Sequence, residues 1–238
     1  MALPLFYYDA DLEAGKEIWL SEDTAKHIVQ VLRMQVNDRI RLTNGRGYTA
    51  IVSIATAEKK KCKVIIEDVS FIPLKAHVFH LGIAFTKNAS RNEWLLEKAT
   101  ELGVRTIIPL ITKRTEREKT RFDRWNNILV SAMLQSQQSH LPVLAEATTL
   151  EKVLEQYNEP QKLVAHCIDE KERTPVTKML NRDKGTILLI GPEGDFTEEE
   201  VTLCEAKGYM GISLGEQRLR TETAAMAACA YFNLINNA

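Results

Sequence analysis

The period of the hydrophobic residues changes near residue 73, and this constrains the fold more than any single motif. Before it, apolar side chains recur at every second position in short runs. In DRIRLTNGRGYTAIVSIA, Ile40 and Leu42 alternate with Arg39 and Arg41, Asn44-Gly45 supplies a turn, and Tyr48, Ala50 and Val52 alternate beyond it. That pattern predicts a hairpin. KCKVIIEDVSFI predicts a further strand. One helix interrupts them, opened by Ser21 with Asp23 and Thr24 near its start and carrying Ile28, Val31 and Leu32 in helical spacing. Many short strands with one helix point to a small β-barrel.

Beyond residue 73 the texture is that of alternating strands and helices. HVFHLGIAF reads as a strand, and Trp94, Leu95, Ala99 and Leu102 form a helical face closed by Gly103. TIIPLI, KLVAHC, TILLI and GISL follow as strands, RWNNILVSAML as a helix, and Glu222 to about Asn236 as a closing helix. The order predicts an α/β sheet, mostly parallel. The domains expected are therefore residues 1–72 and 73–238, joined near Pro73.

Composition excludes several classes. The chain has 238 residues, 45% hydrophobic and 26% charged, an ordinary globular balance. Cys62, Cys167, Cys204 and Cys229 are far apart, which predicts small reduced core residues and neither a disulfide framework nor a zinc site. MALPLFYYDA lacks the basic start and long apolar core of a signal peptide. The alanine-rich stretch 224–235 is too short to span a bilayer. A soluble cytoplasmic protein is expected. The five histidines form no metal pattern, and His166, near the end of KLVAHC, is the one expected near the glycine loops.

The net charge of −1 is a cancellation of unlike parts. Residues 1–72 are balanced, residues 73–125 hold eleven basic and six acidic side chains, and residues 126–238 hold ten and sixteen. Seven of the basic residues lie between Arg105 and Arg124. Such a run serves a nucleic acid or is simply a solvated face. The acidic half suggests an acidic pocket region.

Two loops follow strand ends. In TILLI-GPEGDF-TEEEV a strand runs into Gly191-Pro192-Glu193-Gly194, and a helix restarts with Thr197 and Glu200 as a capping box. Ligands of open α/β sheets sit beyond the carboxyl ends of strands. No G-K-[ST] or G-x-G-x-x-G is present, no Lys or Arg adjoins the turn, and Glu193 and Asp195 repel phosphate. The loop suits an uncharged or cationic ligand, or is a tight turn whose glycines serve only positive φ. In GISL-GEQRLR-TETAAMAACAYF, Gly215 follows a strand, Thr221 caps the closing helix, and Arg218 and Arg220 crowd a helix N-terminus where cations are unfavourable.

GPEGDFTEEEV, LGEQRLRTETAA and TKNASRNEWLLEKATELGVRTIIPL together resemble the SPOUT-class RNA methyltransferases, in particular the RsmE family of 16S rRNA (uracil-N3)-methyltransferases. The resemblance covers essentially the whole chain. It implies an N-terminal PUA-like β-barrel and a C-terminal SPOUT domain with a deep trefoil knot. It also implies bound S-adenosylmethionine, a homodimer, and N3 of a decoding-region uridine in small-subunit 16S rRNA as methyl acceptor. The cofactor residues it implies are Ile190, Gly191, Pro192, Glu193 and Gly194 on one wall, Leu214, Gly215, Leu219 and Thr221 on a second, and Leu163 to His166 on a third. Arg220 matches the arginine of the family's L-R-T-E-T-A motif and is expected to stabilise charge on the uracil, with Glu193 and Glu222 as candidate proton acceptors. Arg91, Arg114, Arg117, Arg121, Arg124 and Arg218 are the expected RNA contacts. The chain departs from the family pattern at Leu134, Gln138, His140 and Gln217. Rival readings are a SPOUT enzyme for a tRNA base or 2′-hydroxyl, or a non-catalytic RNA-binding assembly factor. An NAD-type oxidoreductase lacks its phosphate loop.

Overall fold

The computed structural model describes residues 3–116 and 121–237, so Arg117 and Lys119 lie outside the described residues. The chain divides into two compact units, Met1–Leu74 with Met133–Leu141, and Lys75–Ala132 with Pro142–Ala238.

In the first unit, β1 (Leu5–Tyr7), β2 (Glu17–Trp19), α1 (Glu22–Lys26), β3 (Arg39–Thr43), β4 (Tyr48–Glu58) and β5 (Lys61–Phe71) form a five-stranded sheet ordered β1-β3-β4-β5-β2 with one helix. The predicted hairpin is present, with Ile40 opposite Val52 and Leu42 opposite Ala50, all buried. Gly47 turns at φ 92° where a side chain would collide with the His140 ring and the Ile72 carbonyl. The Gly47 N–H donates to the Ser139 carbonyl, and His140 Nε2 lies 2.7 Å from the Ile72 oxygen. Segment 133–141 thus completes this unit from far away in sequence, and no local pattern announces it.

Ser21 caps α1 as predicted, its hydroxyl accepting the Thr24 N–H. The helix then loosens into a π-turn at His27–Val31. The extra residue per turn rotates the apolar face. Ile28 stays fully buried while Val31 and Leu32, expected beside it, are exposed at 68% and 41%.

The second unit contains β6 (Phe79–Ile83), α2 (Ala89–Glu101), β7 (Thr106–Ile111), α3 (Phe122–Gln135) except its last three residues, which belong to the first unit, β8 (Val143–Leu144), β9 (Thr148–Thr149), α4 (Leu150–Gln156), β10 (Gln161–Ala165), β11 (Thr174–Pro175), α5 (Val176–Met179), β12 (Thr186–Ile190), α6 (Glu198–Ala206), β13 (Met210–Ser213) and α7 (Thr221–Asn237). Its sheet runs β11-β13-β10-β12-β6-β7-β8, with β9 also on β7, and every pairing is parallel. The strands TIIPLI and TILLI are apolar throughout because such a sheet is covered on both faces. Ile108, Val164, Ile187, Leu189, Phe196 and Val201 are buried together against Leu150 and Val153 of α4. Each such side chain contributes about 1.5–3 kcal/mol of transfer free energy. Asn88 caps α2 by accepting two N–H groups, and Gly103, at φ 78°, ends it.

One register feature positions the site. Ala165 at the end of β10 lies beside Ile190 at the end of β12 and beside Ile212 of β13. Three parallel strands therefore finish level, and the loops that leave them surround one space.

Two histidines, buried His166 and half-buried His80, predict an acid-sensitive fold. Burial holds His80 below the usual histidine range, outweighing Glu159 at 3.3 Å, and Arg105 adds to the depression. Burial likewise lowers His166. The unfolded chain takes up protons near 6.5 while the folded protein does not, so stability present above about pH 6.5 is lost as the pH falls. The melting temperature should drop between pH 7 and 5.5, and an H80Q/H166Q variant should show a shallower drop. Identical pH slopes for the two proteins would remove both histidines from this account.

Candidate cofactor cavity and RNA-facing arginines

A cavity of about 330 Å³ opens at those three strand ends. Gly191 and Pro192 leave β12 along one side, Leu214 and Gly215 leave β13 along another, and His166 and Cys167 follow β10. Ile190, Ile212, Leu219 and Ala224 give it an apolar lining.

Gly191 is needed for close approach, since a Cβ there would sit 2.9 Å from the Phe196 nitrogen. Neither Gly191 nor Gly194 has positive φ, so the alternative that these glycines serve only positive φ does not hold. The left-handed residue is Asp195, at φ 64°. Its carboxylate accepts the N–H groups of Phe196 at 2.8 Å and Cys167 at 2.6 Å, binding the loop after β12 to the loop after β10. Behind the loop, α6 opens with the predicted capping box between Thr197 and Glu200. Gly215, at φ 134°, occupies backbone space that favours glycine.

Thr221 does not play the capping part expected of it. The Ala224 N–H donates to the Arg220 carbonyl, which makes Arg220 the flanking residue and Thr221 the first residue of α7. The Thr221 hydroxyl donates instead to the Gly191 carbonyl at 3.3 Å, tying the two glycine loops together.

The lining is not acidic. Glu193 and Asp195 face Arg173, Arg218 and Arg220 around the same space. Segment charge overlooked arginines that arrive from other loops. Arg173 donates to the His166 carbonyl and pairs with Asp169. Arg218 and Arg220 are exposed on the rim. The expectation that no cation adjoins the GPEG turn also fails, because Arg114 donates to the Gly194 carbonyl at 2.5 Å.

Of the cofactor residues expected from the sequence, His166, Ile190, Gly191, Pro192, Glu193, Leu214, Gly215, Leu219 and Thr221 line the cavity. Leu163 and Gly194 do not. Leu163 is fully buried two residues before the end of β10, between Leu188 and Met210. The catalytic candidates Arg220 and Glu193 line it, whereas Glu222 is buried beneath, with Oε1 3.4 Å from Arg91 and Oε2 without a partner among the described residues. Cys167, Arg173, Asp195 and Gln217 were missed by the sequence reading. For Cys167, placed directly after a strand end, position alone was a usable signal. It is also the exposed member of a cysteine set expected to be core; Cys62, Cys204 and Cys229 are buried, and burial pushes the Cys204 thiol up to about 12.

The expected RNA arginines divide. Arg91 is engaged by Glu222, Arg114 by Gly194, and Arg124 by Glu93 at 2.6 Å. Arg121 and Arg218 are exposed. Among the described residues no group of His, Cys, Asp or Glu could hold a metal ion, and no helix is long and apolar enough to cross a membrane.

A family model described as an RNA methyltransferase domain matches residues 73–233, and one described as an RNA methyltransferase PUA domain matches residues 20–67. The ribosomal RNA small subunit methyltransferase E of Rickettsia conorii is 30% identical over 236 residues, covering 97% of this chain and 95% of that one. A probable rRNA methyltransferase from Porphyromonas gingivalis matches in structure with a TM-score of 0.91 at 35% identity, covering 99% of each chain. A ribosomal RNA small subunit methyltransferase E from Neisseria gonorrhoeae, bound to S-adenosyl methionine, matches with a TM-score of 0.86 at 26% identity, covering 98% of each chain. With both domains matched in chain order and the likeness running from end to end, this chain belongs to the ribosomal RNA small subunit methyltransferase E family.

Proposed function

We propose that this protein transfers a methyl group from S-adenosylmethionine to N3 of a decoding-region uridine in 16S rRNA, as a homodimer acting on the small ribosomal subunit. The observation that carries the reading is the cavity at the ends of β10, β12 and β13, whose two glycine loops are tied by the Thr221–Gly191 bond. Its chemistry fits the cofactor. S-adenosylmethionine has an uncharged adenosine whose flat base can lie on apolar side chains, no phosphate, and a head group bearing both signs of charge. The cavity has an apolar floor, no Walker or dinucleotide loop, and a rim holding Glu193 and Asp195 with Arg173, Arg218 and Arg220.

When bound, the cofactor supplies an electrophilic methyl on a sulfonium. The chain's own residues do the rest. Ile190, Ile212 and Leu219 exclude water, while the Gly191 and Gly215 loops hold the cofactor against its in-line partner. Arg220, exposed at the cavity and set beside a helix start, stabilises the negative charge that uracil acquires as N3 loses its proton. Glu193 accepts that proton in this reading, since Asp195 is committed to two backbone N–H groups and Glu222 to Arg91. Arg121 and Arg218 contact the RNA, and the PUA-like unit binds it as well. The knot implied by the family resemblance belongs to the same proposal. The dimer is supported by Trp94 on α2 and Leu234 on α7, exposed at 45% and 66% on two helices that pack together.

Calorimetry should show S-adenosylmethionine binding with a dissociation constant on the order of micromolar, and no binding of ATP or NAD. The reverse preference would sink the cofactor reading. Arg220→Ala should lower kcat about 100-fold, the scale of a lost transition-state charge partner, with cofactor affinity little changed. Equal loss of both would take Arg220 off the catalytic list. Charge reversal at Arg121 and Arg218 should weaken RNA binding and reduce the slope of log K against log salt by about 0.7–0.9 per lost phosphate contact. An unchanged slope would make both residues ordinary surface.

A further inference from the structure

The turn after β7 is laid across the cofactor loop and fastened at several points. Glu200 is 5% exposed, and both of its carboxylate oxygens are occupied. One accepts the Thr197 N–H at 2.9 Å, which is all a capping box requires; the other accepts the Lys113 N–H at 2.8 Å. That second bond adds nothing to the helix start. It fixes the backbone one residue before Arg114. The Thr115 hydroxyl accepts the Thr112 N–H at 2.9 Å and pins the same turn from its other side, and Lys113 Nζ lies 3.4 Å from Glu199. The base of the Arg114 side chain is therefore held before its guanidinium makes any contact.

The guanidinium closes the arrangement. One terminal nitrogen donates to the Gly194 carbonyl at 2.5 Å and lies 3.5 Å from the Phe196 oxygen. The stem lies along Gly194, with Cδ 3.3 Å from where a Cβ would stand. Gly194 separates Glu193 from Asp195, two residues that line the cavity. Asp195 secures the loop on the side of β10, and Arg114 is its counterpart on the side of β7.

We propose that Arg114 is a positioning residue of the cofactor cavity, acting through the Gly194 and Phe196 carbonyls, and is not an RNA phosphate contact. The inference rests on the cofactor reading above. A guanidinium whose backbone is set through Lys113 by a buried carboxylate 87 positions away, and whose Nη1 donates to a loop carbonyl, serves the loop. Its sequence neighbours made it look like one more member of a basic run.

The test uses the full chain with Arg114→Ala and Arg114→Lys. In the free protein, amide hydrogen exchange at residues 193–196 should quicken about tenfold or more in the alanine variant, the scale of one lost charge-assisted hydrogen bond. This readout needs no cofactor, so it stands even if S-adenosylmethionine proves the wrong ligand. With S-adenosylmethionine, KM for the cofactor should rise about tenfold while kcat stays within about twofold, and the salt slope of RNA binding should equal that of the unmodified protein. The lysine variant, which keeps the charge and can reach one carbonyl, should recover most of the cofactor affinity. Unchanged exchange and cofactor KM with a shallower salt slope would overturn the proposal and return Arg114 to the RNA surface. Lower kcat with unchanged KM in both variants would also overturn it, since that pattern reports a loss of folded enzyme.

Discussion

The parallel register of β12, β10 and β13 is the constraint on which the site depends. With Ala165 level with both Ile190 and Ile212, the three loops leaving these strands have no choice but to share one end of the sheet. Peptide carbonyls and N–H groups not used by the ladder are then gathered around a common space, where a ligand can take them up. Everything chemical follows from how the loops are fastened at that end. Asp195 joins the loop after β12 to the one after β10, and Thr221 joins it to the one after β13. None of these ties is a strong interaction alone; a net hydrogen bond contributes about 1 kcal/mol. Their effect is geometric, because each removes a direction in which a loop could move.

The charges follow the same division of labour. Arginines from the basic segment and from the loop after β13 are distributed among three tasks. Arg114 binds loop carbonyls, Arg91 neutralises the buried Glu222, and Arg218 and Arg220 stand at the cavity rim. The rim so formed carries both signs, which suits a ligand with a zwitterionic head better than either a polyanion or a simple cation.

Much of this was legible in the sequence wherever the controlling contacts are local. The hairpin around Asn44-Gly45, the Ser21 cap, the Gly103 stop and the Thr197–Glu200 box each depend on residues within a few positions of one another. Both glycine loops were also found, since a strand end followed by glycine is a local signal. What escaped depends on distant partners. Nothing near Gly47 says that His140 will pack on it, and nothing near Gly194 says that Arg114, 80 positions earlier, will reach its carbonyl. The acidic-pocket expectation failed for the same reason: a charge count by segment cannot see which loops meet. Val31 and Leu32 were misplaced because a π-turn changed the period under them.

In the proposed reaction the cavity delivers a methyl group to N3 of a 16S rRNA uridine. Mass spectrometry of 16S rRNA from cells lacking the gene tests it most directly. An N3-methyluridine in the decoding region should disappear and return when the intact gene, but not its Arg220→Ala form, is restored. Full retention of that methyluridine in the deletion strain would contradict it.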